Sequence, residues 1–264
     1  MATLVFLHAH PDDESISTGG TIARAVDEGH RVVLVVGTNG DHGEVPADLA
    51  PGETLVDRRC SETEESCRVL GIHRLVWLGY SDSGMTGWEQ NSHSNAFMNA
   101  DLDEAADRLV AVLDEENADV LVGYDWHGGY GHPDHIMVHR VVHRAAAKRP
   151  GTVLWEATMN RDRVRERMMA AFEAGLIKEE DRWDVDGPAD DGNPFGSLES
   201  EINLMVDVRA WAARKRESVR CHASQVTDSG FFMSMDEAQF TEAFGWEWYI
   251  RPGDDSPMRE GFIV

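Results

Sequence analysis

Residues 4–14 read LVFLHAHPDDE, a short apolar run that passes directly into a polar turn. The apolar part, Leu4 to His8, has the length and composition of a buried strand. The turn holds His10 and three consecutive carboxylates, and Pro11 stiffens it. In an open parallel sheet, ligands bind outside the carboxyl ends of the strands. The stretch therefore predicts a β/α unit with a binding site at its end.

Short apolar runs alternate with longer helical patterns along the rest of the chain, which is typical of βαβ units. This predicts an α/β, Rossmann-like fold, with a mostly parallel sheet and helices on both faces. The predicted strands are Leu4–His8, Arg31–Val36, Arg74–Leu78, Asp119–Tyr124, Thr152–Thr158 and Leu204–Val208. The predicted helices are Ser17–Glu28, Leu55–Leu70, Leu102–Glu116, Asp134–Lys148 and Arg209–Gln225.

The chain of 264 residues, 42% of them hydrophobic, is long enough for one large α/β core. We therefore expect a single domain over residues 1–264. The segment 182–200 is rich in Asp, Gly and Pro and poor in apolar residues, which indicates a long surface loop. This loop could lie over the predicted site.

The formal net charge of −24 disfavours nucleic acid and anionic membrane surfaces as partners, because both attract clustered Lys and Arg. The N-terminal apolar run is too short for a signal peptide. No later stretch approaches the roughly 18 to 20 apolar residues of a membrane-spanning helix. We expect a cytoplasmic protein with a small-molecule substrate, and a homo-oligomer is left open.

A second polar cluster, YGHPDH at residues 130–135, follows the strand predicted to end at Tyr124. Two strand ends with the same His-Pro-Asp chemistry can converge in a doubly wound sheet. The carboxylates of the first turn could merely cap the next helix, but this alternative does not explain His10. Because such a turn repels itself unless a cation or hydrogen bonds compensate, the two clusters together indicate a metal site.

Catalytic zinc commonly takes three protein ligands of mixed His and carboxylate type and keeps one position for water. The natural selection here is His10, Asp13 and one histidine of the second cluster. Asp12 would then act as general base on the metal-bound water, and the other histidine would donate a proton. Such a donor set also accepts ferrous iron.

Three other sequence features are weaker indicators of function. His139 and His143 continue the helical face of His135 and are expected to be structural. Cys221 precedes a histidine, yet a structural cysteine is the commoner case. Residues 39–44, NGDHGE, superficially resemble a phosphate loop but lack the G-x-G-x-x-G spacing, so they indicate a tight loop lining the same crevice.

The motifs AHPDDE at residues 9–14 and HPDH at 132–135 resemble the hallmarks of the PIG-L/LmbE-like de-N-acetylases. Similar segments cover most of the chain, with the loop at 182–200 as the main unmatched part. The resemblance implies that His10, Asp13 and His135 bind zinc. It also implies the roles of the remaining site residues: Asp12 as general base, His132 as general acid or electrostatic partner, Asp134 orienting His132, Tyr130 holding the oxyanion, and Arg59 and Asp82 contacting sugar hydroxyls.

Within the family, DSGM at residues 82–85 and GGYGHPDH at 128–135 are similar to the mycothiol branch. Its S-conjugate amidases carry a lysine where this chain has Ser17, which favours a deacetylase of an N-acetylglucosaminyl-inositol-like substrate. The alternatives are an S-conjugate amidase or a deacetylase of another N-acyl sugar. Two alternatives lie outside the hydrolases: a nucleotide-binding protein on the same type of fold, and a binding module without turnover.

Overall fold

A computed structural model describes residues 1–175, 178, 183–225, 230 and 232–264 of the chain. In this part of the chain, eight strands form one sheet, in the order β3-β2-β1-β4-β5-β7-β6-β8. The strands are β1 (Thr3–His8), β2 (Arg31–Thr38), β3 (Arg74–Tyr80), β4 (Val120–Tyr124), β5 (Val153–Thr158), β6 (Leu204–Asp207), β7 (Trp246–Ile250) and β8 (Arg259–Glu260). The strands β1 to β5 pair in parallel, whereas β7 runs antiparallel to β5 and β6. The prediction of a mostly parallel α/β sheet is confirmed.

The α-helices of the described residues are α1 (Asp13–Ser17), α2 (Gly19–Asp27), α3 (Leu55–Leu70), α4 (Leu102–Glu115), α5 (Pro133–Lys148), α6 (Arg161–Glu173), α7 (Ala212–Cys221) and α8 (Glu237–Phe244). Local sequence sets several of their ends. A capping box between Thr54 and Asp57 begins α3, and Gly71 ends it in the left-handed conformation, with φ of 81°. Pro133 begins α5, at the position where a missing backbone N–H costs no helical hydrogen bond.

Helices cover both faces of the sheet, as predicted. Alternating residues of β1 point to opposite faces, so Val5 packs with the core against α4 and α5, and Phe6 packs with the core on the other side. The second core includes Ile22 of α2 and Leu70 of α3. No helix among the described residues is long and apolar enough to span a lipid bilayer.

The order of the strands reverses between β1 and β4. From β1 the chain proceeds outward to β2 and β3, and it then returns to pair β4 with the opposite edge of β1. A crevice forms at the carboxyl ends of strands at such a switch point. The residues after β1 and the residues after β4 enter it from neighbouring strands, so this topology brings the two His-Pro-Asp motifs together.

Several predicted elements differ from the structure. The predicted helix Ser17–Glu28 is replaced by two helices, α1 and α2, which are separated at Thr18. In the segment Arg209–Gln225, a 3-10 turn precedes α7, which ends at Cys221. Two helices, α6 and α8, and two strands, β7 and β8, were not predicted.

The predicted loop 182–200 begins at Arg182, which lies outside the described residues. Its described part lies against the second motif. The backbone N–H of Asp190 donates to the carbonyl of Tyr130 at 3.0 Å, and the N–H of Gly196 donates to the carbonyl of Gly129 at 2.6 Å. The loop therefore borders the crevice at the carboxyl end of β4.

Candidate active site and metal centre

Three histidines from the two motifs meet at the switch point. His10 follows β1, whereas His132 and His135 stand at the start of α5, and all three side chains are buried. One ring nitrogen of each lies within 4.8 Å of the others. The convergence predicted from the two strand ends is therefore present.

His135 has the arrangement of a metal ligand. Its Nδ1 lies 3.1 Å from the carbonyl oxygen of Gly128, so the neutral ring carries its proton there and leaves a lone pair on Nε2. That Nε2 is buried and has no hydrogen-bond partner among the described residues. The ring is held in place by Tyr124, which stacks on it with the centroids 4.5 Å apart. A buried nitrogen with a free lone pair suits a cation.

Asp13 provides a carboxylate oxygen between two of the histidines. Its Oδ2 lies 3.4 Å from Nδ1 of His10 and 3.4 Å from Nε2 of His135, and it accepts the backbone N–H of His10 at 2.8 Å. Burial alone would raise the pKa of Asp13, but the proximity of His135 and His10 holds it well below its usual value. The three predicted ligands lie together, and these donor types fit a zinc-like ion.

Asp12 lies beside this donor set in a strained backbone conformation, with φ of 96°. Its carboxylate is 3.1 Å from Nη2 of Arg59, and its side chain is mostly shielded from solvent. Burial raises the pKa of Asp12 to about 6, against the lowering effect of the Arg59 charge. A carboxylate with such a pKa is suited to accept a proton near neutral pH.

His132 is the N-cap of α5, and its Nδ1 accepts the backbone N–H of Asp134 at 3.1 Å. The neutral ring therefore carries its proton on Nε2. Burial lowers the pKa of His132 to about 2, and the charges of His10 and His135 act in the same direction.

Asp134 contacts His132 through its backbone N–H, whereas its carboxylate is directed elsewhere. It accepts the backbone N–H of Ser83 at 2.8 Å and the Ser83 hydroxyl, and it lies 3.2 Å from Nε2 of His10. The physical reason is the cap: the backbone of Asp134 turns its N–H to His132, while its side chain points to the neighbouring loop. Asp134 therefore positions His10.

Asp82 also faces His10, with 3.4 Å between Oδ1 and Nε2. Burial would raise the pKa of Asp82, but the charge of His10 holds it well below its usual value. Burial by itself would lower the pKa of His10. The charge of Asp82 and the hydrogen bonds to Asp13 and Asp134 outweigh burial, so the pKa of His10 is raised well above its usual value. The Nε2 of His10 is thus engaged by carboxylates, and its Nδ1 is directed to Asp13.

Arg59 joins two loops of the site. Its guanidinium donates to the carbonyls of Gly40 at 2.9 Å and Pro11 at 2.6 Å, besides its contact with Asp12. Gly40 is needed here, because a Cβ at this position would lie 2.7 Å from the Arg59 guanidinium carbon. The loop at residues 39–44 therefore holds Arg59 and is not built as a phosphate cradle.

Tyr130 stands edge-on to His135, with the ring centroids 4.8 Å apart. It is therefore beside the donor set, as an oxyanion-holding role would require. Cys221, by contrast, has its thiol pKa raised to about 11 by burial, which disfavours a thiolate nucleophile. All three cysteines are free.

A buried hydrogen-bond network lies behind Asp12. The Glu14 carboxylate accepts the backbone N–H of Asp12 at 3.1 Å and lies 2.7 Å from Nε2 of His222. Hydroxyl groups of Ser15 and Ser66 also donate to it, at 2.8 Å and 2.5 Å. His222 lies 208 residues from Glu14 in the sequence, so no local motif connects the two residues. The one sequence feature that points to this network is the third consecutive carboxylate of the turn, Glu14 itself.

Comparison with known proteins agrees with this geometry. Residues 5–146 match the model of the PIG-L family, described as GlcNAc-PI de-N-acetylase. A 1D-myo-inositol 2-acetamido-2-deoxy-alpha-D-glucopyranoside deacetylase of Acidothermus cellulolyticus is 40% identical, over 94% of this chain and 88% of its own. A protein of the same name from Nocardioides sp. is 36% identical, over 93% of this chain and 90% of its own.

The fold is also similar to that of solved structures. The N,N'-diacetylchitobiose deacetylase from Pyrococcus horikoshii superposes with a TM-score of 0.62 and 22% identity, over 96% of this chain and 84% of its own. At this identity the likeness concerns the fold, and it agrees with the α/β architecture described above.

Proposed function

The chain belongs to the PIG-L family of GlcNAc-PI de-N-acetylases, and on that premise we propose that it removes the acetyl group from an N-acetylglucosaminyl-inositol substrate with a zinc ion. Membership makes it an N-deacetylase, a hydrolase of amide bonds. The curated relatives named above support the sugar-inositol substrate, since their names specify it. The observation that carries the proposal is the buried, unpartnered Nε2 of His135 facing the Asp13 carboxylate across 3.4 Å.

His10, Asp13 and His135 would hold the metal. Nδ1 of His10 and Nε2 of His135 both lie 3.4 Å from Oδ2 of Asp13, and the remaining ring nitrogens are engaged by Asp134 and by the carbonyl of Gly128. Such outer partners fix the orientation of metal-binding imidazoles. When bound, the metal would supply Lewis acidity, which lowers the pKa of a nearby water and polarises the amide carbonyl. Ferrous iron would fit the same donors.

Asp12 would act as the general base. Its pKa of about 6 leaves it ionised at neutral pH and still basic enough to accept a proton from the attacking water. The contact with Arg59 and the hydrogen bond from the Asp12 backbone to Glu14 hold its position. The hydroxyl group of that water then adds to the acetamide carbonyl carbon.

His132 would act as the general acid. Its ring is neutral in the free protein and carries its proton on Nε2, because Nδ1 accepts the backbone N–H of Asp134. Nε2 of His132 would then donate its proton to the departing amine as the C–N bond breaks, and the proton that Asp12 took from the water would return to His132, so that both groups regain their starting states. Tyr130, beside His135, would assist at the oxyanion.

The proposed contacts with the sugar of the substrate involve residues beside the metal donors. Arg59 and Asp82 were expected to contact sugar hydroxyls, and both lie beside the donor set, where Arg59 binds two backbone carbonyls and Asp82 faces His10. A role at hydroxyl groups would use the remaining hydrogen-bonding capacity of these side chains. Ser17, at the end of α1, favours the deacetylase over the S-conjugate amidase.

One set of assays tests the proposal. The zinc-loaded protein is given N-acetylglucosaminyl-inositol, free N-acetylglucosamine and a bimane-labelled mycothiol conjugate, and release of acetate or of the labelled acid is measured. We expect the inositol glycoside to give the highest kcat/KM. Faster cleavage of the conjugate would identify an S-conjugate amidase instead, and binding of NAD without hydrolysis would favour the nucleotide-binding alternative.

The assignment of Asp12 is tested on the same substrate. Asp12→Asn should retain zinc, because its side chain is outside the donor set, yet should lose at least about 100-fold in kcat, as expected when a general base is removed. Asp48→Asn changes an exposed carboxylate and serves as the control. Unchanged turnover of Asp12→Asn would disprove the role of general base.

A further inference from the structure

A second cluster of metal-binding side chains lies on the outer part of α5. His139 and His143 stand four residues apart on this helix, and Glu156 faces them from β5. Oε1 of Glu156 lies 3.1 Å from Nδ1 of His139 and 2.5 Å from Nε2 of His143. All three donor atoms fall within 4.8 Å of one another, and none of these residues belongs to the catalytic donor set.

The charge of Glu156 requires an explanation. The carboxylate is buried within the sheet, with 9% of its side chain exposed. In the part of the chain that the structure describes, its ion-pairing partners are these two imidazoles, and no Lys or Arg pairs with it. The buried Glu247 differs, since it has the ammonium group of Lys215 at 2.6 Å. Buried carboxylates are normally paired with a fixed positive charge or with a metal.

The spacing of the two histidines is that of a helical metal-binding pair. Residues four apart lie on the same helical face, and His-x-x-x-His is the spacing with which two helical histidines bind one zinc ion. A carboxylate from a neighbouring strand completes a set of two His and one Glu, a combination that zinc takes. Because Glu156 is not part of a recognisable motif, the sequence alone predicts only a structural role for His139 and His143.

The cluster is also accessible to an ion. The side chain of His143 is 39% exposed and that of His139 is 21% exposed, so the cluster opens to solvent on the side of α5. Three ligands at about 2.0–2.2 Å from a tetrahedral ion would be separated by roughly 3.3 Å, so the His143–Glu156 pair must open by about 0.8 Å. Rotation of the partly exposed His143 ring is enough for such a change. Nδ1 of His139 must also give up its contact with the carbonyl of Tyr124, now 3.2 Å away.

We propose that His139, His143 and Glu156 bind a second divalent transition-metal ion of the zinc class, outside the catalytic site. The ion would connect α5 to β5 about two turns beyond His135, and water would complete its coordination. Because the two imidazoles must be neutral to bind a metal, binding would release protons and weaken on acidification. This inference does not depend on the substrate or on the reaction.

The experiment measures zinc stoichiometry. The full chain is stripped with a chelator, dialysed against buffered zinc, and analysed by mass spectrometry of the metal. We expect two zinc ions in the wild type, one in His143→Gln, one in His135→Ala and none in the double variant. His93→Gln changes an exposed histidine outside the cluster and should retain two. Circular dichroism verifies that each variant is folded.

Two outcomes would overturn the proposal. A wild type that binds one zinc, lost in His135→Ala and kept in His143→Gln, would leave the cluster as an imidazolium–carboxylate pair. Two zinc ions in His143→Gln but fewer in His93→Gln would indicate adventitious surface binding. As a second variant, Glu156→Gln keeps the shape of the side chain and should also lose one ion. If the catalytic site bound no zinc, the His143→Gln variant would contain no zinc at all. This result differs from both outcomes above, so failure of the catalytic site can be distinguished from failure of the second site.

Discussion

The Glu14 carboxylate accepts the backbone N–H of Asp12 at 3.1 Å and so holds the proposed general base from behind. Asp12 has a φ of 96°, a conformation that costs a residue other than Gly on the order of 1–3 kcal/mol. The surrounding structure must offset this cost. Glu14 is itself fixed by His222 and by the hydroxyls of Ser15 and Ser66, and the charge of His222 helps to lower the pKa of Glu14 to about 2 against the effect of burial.

This contact predicts that Glu14→Gln lowers kcat with little change in KM. The amide keeps the size of the side chain but loses the charge that holds His222, so the Asp12 backbone becomes less constrained. We expect kcat to fall by about 10-fold to 100-fold, which corresponds to roughly 1.4–2.8 kcal/mol. Steady-state kinetics and zinc content are measured together. The control is Glu28→Gln, which changes an exposed carboxylate near the end of α2.

A structural role alone would give a different result for Glu14→Gln. If the variant lost zinc and stability in parallel with activity, Glu14 would support the fold and not the position of Asp12. Normal zinc content with a reduced kcat would agree with positioning.

The pH dependence of the reaction should report Asp12. Burial raises its pKa to about 6, and Arg59 opposes this rise. A general base must be ionised to accept a proton. We therefore expect kcat/KM to have its full value above about pH 6 and to fall as the pH decreases through about 6. Arg59→Met removes the positive charge that lowers the pKa of Asp12. Its acidic limb should therefore move to higher pH.

The matched control for this shift is Arg58→Met, which changes the neighbouring arginine on α3. Arg58 pairs with Glu53 and Asp48 and does not contact Asp12. Its pH profile should coincide with that of the wild type. A limb that stayed near pH 6 in Arg59→Met would show that another group controls the acidic side.

The fold could be predicted from the sequence where a pattern was strong. The run of buried residues in β1 and the amphipathic α4 carried clear signals, and their predicted bounds differ little from the observed ones. No residue of α6 is buried, so it has no apolar periodicity to detect. In β7 a buried Glu247 interrupts a strand of aromatic residues, and its charge is compensated by Lys215 and by the backbone N–H groups of Gly20 and Thr21.

The candidate site was predictable for residues within the two motifs and not for their partners. The proposed metal donors lie in short segments after β1 and β4, and the switch point between these strands brings them together. The backbone direction at Asp134 was not predictable: its N–H contacts His132, and its carboxylate contacts His10. Glu14 and His222 meet only through the packing of α1 against α7.

The choice between Asp13 and His132 as a metal ligand is a separate prediction. Three histidine nitrogens lie within 4.8 Å of one another, so His132 could in principle complete the donor set in place of Asp13. Because Asp13 lies between His10 and His135, we expect Asp13→Ala to lose the catalytic zinc. His132→Gln should retain it and lose about 100-fold or more in kcat, as expected for a general acid. Zinc content after dialysis decides between the two, and loss of the ion in His132→Gln would assign that residue to the metal.

The carbonyl of Gly128 offers the most selective test of how His135 is held. Gly128 has a φ of 66°, and a Cβ there would overlap Cβ of His135 and lie 2.8 Å from its carbonyl carbon. Gly129 has a similar φ of 78° but nothing within 4 Å of its Cβ position. Both alanine variants introduce comparable backbone strain, so the difference between them isolates the clash with His135. We expect Gly129→Ala to lose about 1 kcal/mol of stability and to keep its zinc.

Gly128→Ala introduces the same backbone strain and, in addition, a clash with His135. The backbone and Cβ of His135 cannot stay in place beside the new Cβ, so α5 must be displaced at this residue. The hydrogen bond from Nδ1 of His135 to the Gly128 carbonyl, now 3.1 Å, should then lengthen and leave the ring free to rotate. We expect zinc affinity to fall by about 10-fold to 100-fold, as is usual when an outer partner of a metal ligand is lost. Zinc titration against a competing chelator measures this, and equal affinities in the two alanine variants would show that Gly128 has no part in orienting His135.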